Sequence, residues 1–184
     1  HLENDANCVG LSELLAHPEI ENAACVVIGT GIGGAMMING KLHRGRHGLG
    51  GEFGYMTTLA PTEKLNNWSQ LASTGSMVRY VNEQSGQTDW DGRKVYQEAA
   101  AGNALCQEAI ERMNRNLAQG LLNIQYLIDP DVISLGGSIS HNPDFIKGVQ
   151  KAVDTFVETY EEYTIIPVIQ ACTYHADANL YGAL

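Results

Sequence analysis

The chain has 184 residues, a length that suits one domain, or one domain with a small appendage. Its formal net charge of −10 argues against a nucleic-acid partner, because a protein that binds phosphate backbones needs a basic face. A hydrophobic fraction of 44% with 17% charged residues excludes a disordered chain and indicates a packed globular domain. No apolar run approaches the roughly 20 residues of a membrane span. We therefore expect a cytoplasmic protein with no membrane partner.

The first third of the chain predicts a helix followed by a glycine-rich hairpin. Asn4 or Asp5 is a suitable cap for a helix that ends at His17-Pro18. Residues 23–28 form a short apolar run with β-branched members, which is typical of a strand covered on both faces. A glycine loop follows, then residues 35–38 and a hairpin turn at Asn39-Gly40.

The remaining two thirds predict mainly helices with two further strands. The predicted helices cover residues 68–72, 77–84, 93–101, 103–127, a segment that begins at Asn142-Pro143, and 177–184. The predicted strands cover residues 132–135 and 167–171. Strands that alternate with helices predict an α/β domain with a largely parallel sheet.

Half of the 20 glycines lie in residues 29–54, which predicts close approach of the backbone to a ligand; a set of tight turns is the alternative. Gly29, Gly31 and Gly34 satisfy G-x-G-x-x-G, but a dinucleotide-binding fold needs a helix that begins inside that motif. The segment that follows is too rich in glycine for a helix, so the loop is predicted to join two strands. Successive backbone N–H groups and the Thr30 hydroxyl would then suit a phosphate group.

Two acidic residues have positions that suit a catalytic or a substrate-binding role. Residues 1–3 are predicted to end a strand, so Asp5 follows Asn4 at a strand-to-helix junction, and Glu52 stands near glycines. A carboxylate that accepts a proton, a second acid and a phosphate-binding loop together suit phosphoryl transfer to an alcohol. The alternatives are plain helix capping for Asn4-Asp5 and a solvated loop position for Glu52.

The same residues resemble the ROK family of sugar kinases and repressors. The similar segments are ENDAN at 3–7, VIGTGIGG at 27–34, GKLHRG at 40–45, GLGGEFGYM at 48–56 and LGGS at 135–138. The resemblance implies an actin-like ATPase (ribonuclease H-like) fold with a helical insertion, and glucokinase- or fructokinase-like activity. It also implies that residues 1–184 are the C-terminal domain of a two-domain kinase. An N-terminal phosphate-loop domain would precede His1, and a closing helix would follow Leu184.

The resemblance further implies a role for each matching position. Asp5 would be the general base that accepts the proton of the sugar hydroxyl. The residues that would bind the sugar are Asn4, Gly51, Glu52 and Tyr55. The residues that would bind the nucleotide are Thr30, Gly31, Gly33, Gly34, Gly136 and Gly137. ATP and Mg²⁺ are the implied cofactors, and we expect a homodimer or a higher homo-oligomer.

The chain departs from the family pattern in three places. Tyr55 stands where most members have a histidine that binds zinc, residues 57–67 contain no cysteine, and Ser69 stands where a sugar-binding glutamate is usual. Cys8, Cys25, Cys106 and Cys172 are scattered and are expected to be buried or idle thiols of a reducing compartment. We therefore expect no zinc and no other protein-bound metal site, with the loop ordered by packing around Trp68 and Leu71. The Tyr55 ring offers a stacking face for the second ring of a phosphorylated glucoside or a disaccharide.

Two alternatives to a kinase remain open at this point. One is a transcriptional regulator of the same family, which would bind sugar as an effector and DNA through an upstream helix-turn-helix. The other is a sugar-binding protein that does not turn over ATP.

Overall fold

A five-stranded sheet forms the centre of the structure, a computed structural model that describes residues 4–58, 66–160 and 162–183. The strands are β1 (Ala23–Ile28), β2 (Ile32–Ile38), β3 (Lys41–Leu42), β4 (Thr57–Thr58), β5 (Asn66–Asn67), β6 (Val132–Gly136) and β7 (Ile169–Ala171). The central sheet has the spatial order β3-β2-β1-β6-β7, and β4 and β5 form a separate short hairpin. The α/β class predicted from the sequence is confirmed.

Helices follow the predicted segments closely. They are α1 (Asp5–Ala16), α2 (Trp68–Ala72), α3 (Thr74–Ser85), α4 (Gly92–Ala100), α5 (Ala104–Ile128), α6 (Pro143–Thr159) and α7 (Ala178–Gly182). The start of α3 differs most from its prediction, because Ser73 caps this helix by accepting a hydrogen bond from the N–H of Ser76. The helix therefore begins three residues before the apolar positions that predicted it.

The sheet is mixed, which refines the prediction of a largely parallel one. Strand β6 is parallel to both β1 and β7, and Val27 lies opposite Gly136. Strands β2 and β3 are antiparallel to their neighbours, because the glycine loop is a hairpin between β1 and β2, as predicted. Asn39 and Gly40, with φ of 52° and 67°, form the second predicted turn, which joins β2 to β3.

The two faces of β1 belong to two different hydrophobic cores. Ala24 and Val26 pack in a cluster that contains Leu121 of α5, whereas Cys25 packs in a cluster that contains Val9 of α1. Successive side chains of a strand point to opposite faces, so helices on both sides of the sheet require the continuous apolar run of residues 23–28. The N-terminal end of α1 therefore lies over the same strand that leads into the glycine hairpin.

Trp68, one of the two residues around which the following loop was expected to pack, is fully buried. Its indole N–H donates to the backbone oxygen of Asn116 over 2.8 Å, and its ring occupies the space that a side chain at Gly120 would need. Leu71 is half-buried beside it. Residues 59–65 of the loop that this packing was expected to order lie outside the described residues.

The four cysteines are buried, one of the two states expected for them, and they are free thiols in this structure. Across the described ranges, no three His, Cys, Asp or Glu side chains come close enough to hold a metal ion. Within those ranges, no helix combines the length and apolar character that a membrane crossing requires.

Candidate functional site

An open cleft of about 490 Å³ lies where α1, the β1–β2 hairpin and the residues around Glu52 meet. The polar and exposed positions that line it include Asp5, Thr30, Gly31, Glu52, Tyr55 and Ser69. Four separate segments of the sequence therefore contribute to one site, since Ser69 belongs to α2. The structure brings together the predicted base, the predicted phosphate loop and two of the predicted sugar-binding side chains.

The N-terminus of α1 both caps the helix and presents an acid to the cleft. Oδ1 of Asn4 accepts the backbone N–H of Ala6 over 2.8 Å, and Oδ1 of Asp5 accepts the same N–H over 2.8 Å. The amide nitrogen of Asn4 donates to Oε1 of Glu52 over 3.1 Å. Capping and a role in the site are thus compatible, because the Asn4 side chain uses its oxygen for the first and its nitrogen for the second.

Two of the predicted binding glycines have a packing role. Gly51 has a φ of 89°, and a Cβ there would lie 2.9 Å from the backbone of Ala35 and Met36. A Cβ at Gly34 would collide with Phe53. Both glycines are buried and neither is among the residues that line the cleft, so their predicted contacts with sugar and nucleotide stay predictions.

Gly136 and Gly137 lie beside the base of the hairpin. Gly136 ends β6 opposite Val27, near the end of β1. Gly137 has a φ of 89°, and a Cβ there would collide with the backbone oxygen of Ile28. The structure therefore explains glycine at 137 by its backbone conformation and its contact with β1. The predicted contact of this pair with a nucleoside stays a prediction.

The backbone of the hairpin turn faces the cleft, and residues of α2 and of the start of α3 form hydrogen bonds with this turn. Thr30 and Gly31 are exposed, and a Cβ at Gly33 would come within 3.2 Å of the Ala6 methyl group. Ser73 Oγ donates to the backbone oxygen of Thr30 over 2.9 Å, and the N–H of Gly75 donates to the oxygen of Gly29 over 3.2 Å.

Ser73 and Gly75 were missed as functional residues by the sequence analysis. A helix cap followed two residues later by a glycine, next to a predicted short helix, is the signal that could have drawn attention to them. Ser69 was singled out only as a departure from the family pattern. Its hydroxyl accepts the N–H of Ile32 over 2.8 Å, so it too contacts the hairpin.

Tyr55 lies at the rim of the cleft, and 74% of its surface is exposed. It ends a short 3-10 turn, Phe53–Tyr55, in which Phe53 is buried and anchors the segment. The segment that carries Tyr55 is therefore anchored at the cleft, and most of the Tyr55 side chain is accessible to a ligand.

Comparison with known proteins identifies the family. The ROK family model matches residues 1–184. The chain belongs to the ROK family. It is 32% identical to a beta-glucoside kinase of Listeria monocytogenes, with 100% of this chain and 63% of the relative covered. It thus spans about 63% of the length of this relative.

Solved structures confirm the fold. A ROK family protein from Streptococcus pneumoniae, in complex with sucrose, is 89% identical with a TM-score of 0.96, over 100% of this chain and 63% of that one. A ROK family glucokinase from Streptomyces griseus, in complex with glucose and AMPPNP, is 25% identical with a TM-score of 0.83, over 99% and 66%. The actin-like ATPase fold implied by the resemblance is therefore confirmed.

Proposed function

We propose that this chain is the C-terminal domain of a two-domain, ATP-dependent kinase that phosphorylates a sugar hydroxyl. One observation carries the proposal: the Asp5 carboxylate, the Asn4–Glu52 pair and the exposed turn of the glycine hairpin meet at one cleft. A proton acceptor, hydroxyl-binding groups and a phosphate-binding backbone are the parts that phosphoryl transfer to an alcohol needs. The kinases among the relatives support the same reaction.

Asp5 would be the general base. Its Oδ1 accepts the Ala6 N–H, whereas its Oδ2 has no hydrogen-bond partner within the described residues. As the sugar oxygen forms its bond to the terminal phosphorus of ATP, the bond between that phosphorus and the ADP oxygen breaks, and the hydroxyl proton passes to Asp5. The exposure of Asp5 gives this proton a route to solvent.

Asn4 and Glu52 would orient the sugar. Asn4 donates to Oε1 of Glu52, a contact that would help to orient that carboxylate toward the sugar. The second oxygen of Glu52 would then accept a sugar hydroxyl. A carboxylate that accepts hydroxyl groups discriminates against sugars that leave it unpaired.

The nucleotide would lie along the hairpin and the end of β6. The exposed backbone of Thr30 and Gly31 suits the phosphates, with Gly33 beside them in the cleft. Gly136 and Gly137 would approach the nucleoside as bare backbone. Mg²⁺ would bind the phosphates and neutralise part of their charge, with ligands from the N-terminal domain that the resemblance implies. The expectation that zinc is absent still rests on the sequence, since residues 59–65 are not described.

The substrate we propose is a two-ring sugar, either a β-glucoside or a disaccharide. An aromatic face at the rim of a sugar cleft packs well against a second ring, and Tyr55 is such a face. The beta-glucoside kinase relative and the sucrose complex support this substrate class.

The test is ADP release by the full-length protein with ATP, Mg²⁺ and a panel of glucose, fructose, N-acetylmannosamine, cellobiose, sucrose and an aryl β-glucoside. We expect the largest kcat/KM for a two-ring substrate. Tyr55→Ala should lower that kcat/KM about 10-fold, because it removes the aromatic contact with the second ring. The kcat/KM for glucose, which has no second ring, should stay within about 2-fold of the wild-type value.

The outcomes separate the parts of the proposal. Turnover of monosaccharides alone would support the proposed kinase activity and overturn the proposal of a two-ring substrate. Sugars that raise the melting temperature without any ADP release would overturn the kinase and favour a sugar-binding regulator.

A further inference from the structure

The carbonyl groups in the turn of the glycine hairpin point toward helix α3. The oxygen of Gly29 accepts the N–H of Gly75, in the first turn of α3, and the oxygen of Thr30 accepts the hydroxyl of Ser73. A Cβ at Gly75 would collide with the Thr30 oxygen, so this close approach requires glycine there. The donors lie more than 40 residues along the chain from the turn that they bind.

Because the peptide group is planar, these contacts also fix the direction in which the neighbouring N–H groups point. In a trans peptide, the C=O of one residue and the N–H of the next point in opposite directions. Because the oxygens of Gly29 and Thr30 point toward Gly75 and Ser73, the N–H groups of Thr30 and Gly31 point away from α3. These two N–H groups have no acceptor within the described ranges, and their residues line the cleft, whereas Ser73 and Gly75 do not.

Ser69 binds the end of the same turn. Its hydroxyl accepts the N–H of Ile32 over 2.8 Å, and it lies 3.2 Å from the oxygen of Ile32, to which it donates. The oxygen of Gly31 accepts the N–H of Gly29 over 2.9 Å within the turn. Each carbonyl oxygen of residues 29–32 therefore has a donor on the protein, and none needs to face an anion in the cleft.

We propose that Ser69 and Ser73 are positioning residues for the nucleotide phosphates. Ser73 holds the Thr30 carbonyl on the side of α3, which directs the Gly31 N–H toward the cleft, and Ser69 fixes both polar groups of Ile32 at the end of the same turn, so that the turn keeps this conformation. This inference rests on the proposed kinase function. A turn held in this way would bind the polyphosphate without first reorienting its peptide groups. Preorganised N–H donors bind an anion more tightly for this reason. Without the serines, a peptide flip would place a carbonyl oxygen against the phosphates.

Ser69 is the better residue to test. Ser73 also caps α3, because its hydroxyl accepts the N–H of Ser76 over 3.0 Å, so its loss would weaken that helix as well. Ser69 lies within α2, whose cap is Asn67. Ser12 offers a matched control, since it is a buried serine in α1 whose hydroxyl donates to the Val9 oxygen over 2.8 Å.

The experiment measures steady-state kinetics of the full-length protein and its Ser69→Ala and Ser12→Ala variants, each with ATP and with sugar varied, together with melting temperatures. For Ser69→Ala we expect the KM for ATP to rise about 10-fold, the value of one hydrogen bond to an otherwise unpaired group, with the KM for sugar within about 2-fold. Both variants lose a side-chain hydrogen bond, so Ser12→Ala should lower the melting temperature about as much as Ser69→Ala does. It should change neither the KM for ATP nor the KM for sugar.

Three results would overturn the inference. A rise in the sugar KM instead of the ATP KM would make Ser69 a sugar contact. A fall in melting temperature with both KM values unchanged, as for Ser12→Ala, would give it a purely structural role. A wild-type protein that releases no ADP with any sugar would overturn the kinase function itself. This failure is distinguishable from a failure of the Ser69 proposal, because it is seen in the wild type and not only in the variants.

Discussion

Two carboxylates on helix α1 have opposite environments. Asp5 is the first residue of the helix and lies exposed at the cleft. Glu13 lies about two turns further along and is only 5% exposed. Its Oε1 accepts the backbone N–H of Thr173 over 2.7 Å, and its Oε2 accepts the hydroxyl of Ser134 over 3.1 Å. The same helix therefore holds one acid for the cleft and another for the interior.

The partners of each acid indicate what it does. Both oxygens of Glu13 are bound, and they join α1 to β6 and to the residue that follows β7 by two positions. A buried carboxylate needs such partners, because its desolvation is costly otherwise. The interior also holds Cys25, whose thiol pKa is raised by its hydrogen bond to Cys172, by burial and by the nearby charges of Cys172 and Glu13. Asp5, by contrast, keeps one oxygen for a ligand.

The largest expected effect is that of Asp5→Asn on turnover. We expect kcat to fall by about 10²–10⁴, because the variant removes the proton acceptor, while KM values for sugar and ATP stay within a few-fold. The asparagine oxygen can still accept the Ala6 N–H, so the melting temperature should change little. Steady-state ADP release and thermal unfolding of the full-length protein measure the two effects.

A result of the reverse kind would break the comparison. If Asp5→Asn lowered the melting temperature by many degrees and left kcat unchanged, Asp5 would be a helix-capping residue only.

Glu13→Ala should show the opposite pattern. It leaves the Thr173 N–H and the Ser134 hydroxyl without their acceptor in the interior, so we expect a loss of about 3 kcal/mol in the free energy of unfolding. At a temperature where the variant is folded, both KM values should match the wild type. Glu13→Gln keeps an acceptor for Thr173 and serves as the milder control. An unchanged melting temperature for Glu13→Ala would contradict the structural role.

The smallest effects separate capping from binding at Asn4. Asn4→Ala removes the N-cap side chain, one of the two acceptors of the Ala6 N–H, and should cost at most about 1 kcal/mol of stability because Asp5 Oδ1 still accepts that N–H. Asn4→Asp keeps that acceptor but replaces the donor to Glu52 with a second negative charge. We expect both variants to raise the sugar KM several-fold, and only Asn4→Ala to lower the melting temperature. Equal sugar KM values in the wild type and in Asn4→Asp would show that the Asn4–Glu52 contact does not serve the substrate.

Local patterns in the sequence predicted the elements around the site. The apolar run at 23–28 predicted β1, and the glycines that follow it predicted a hairpin because they exclude a helix. Asn4-Asp5 predicted the start of α1. These predictions succeeded because strand alternation, capping and turn preference depend on a few neighbouring residues.

Close packing between glycine backbones was not predictable in the same way. Gly34 and Gly51 were predicted from the family resemblance to bind ligands, which stays a prediction, and the structure adds that a Cβ at either position would collide with the protein itself. A glycine that allows backbone to approach a ligand and one that allows it to approach another strand have the same sequence signature.

By itself, then, the sequence determined an α/β domain, a glycine hairpin between two strands, an acid at the start of α1 and membership of a kinase-containing family. Only the tertiary structure decided that Glu13 is an interior residue while Asp5 reaches the cleft, and that Ser73 and Gly75 bind the turn at Gly29 and Thr30. The reason is distance along the chain. Glu13 meets Thr173 across 160 positions and Ser73 meets Thr30 across 43, and no local pattern encodes contacts that arise when separate segments pack against one sheet.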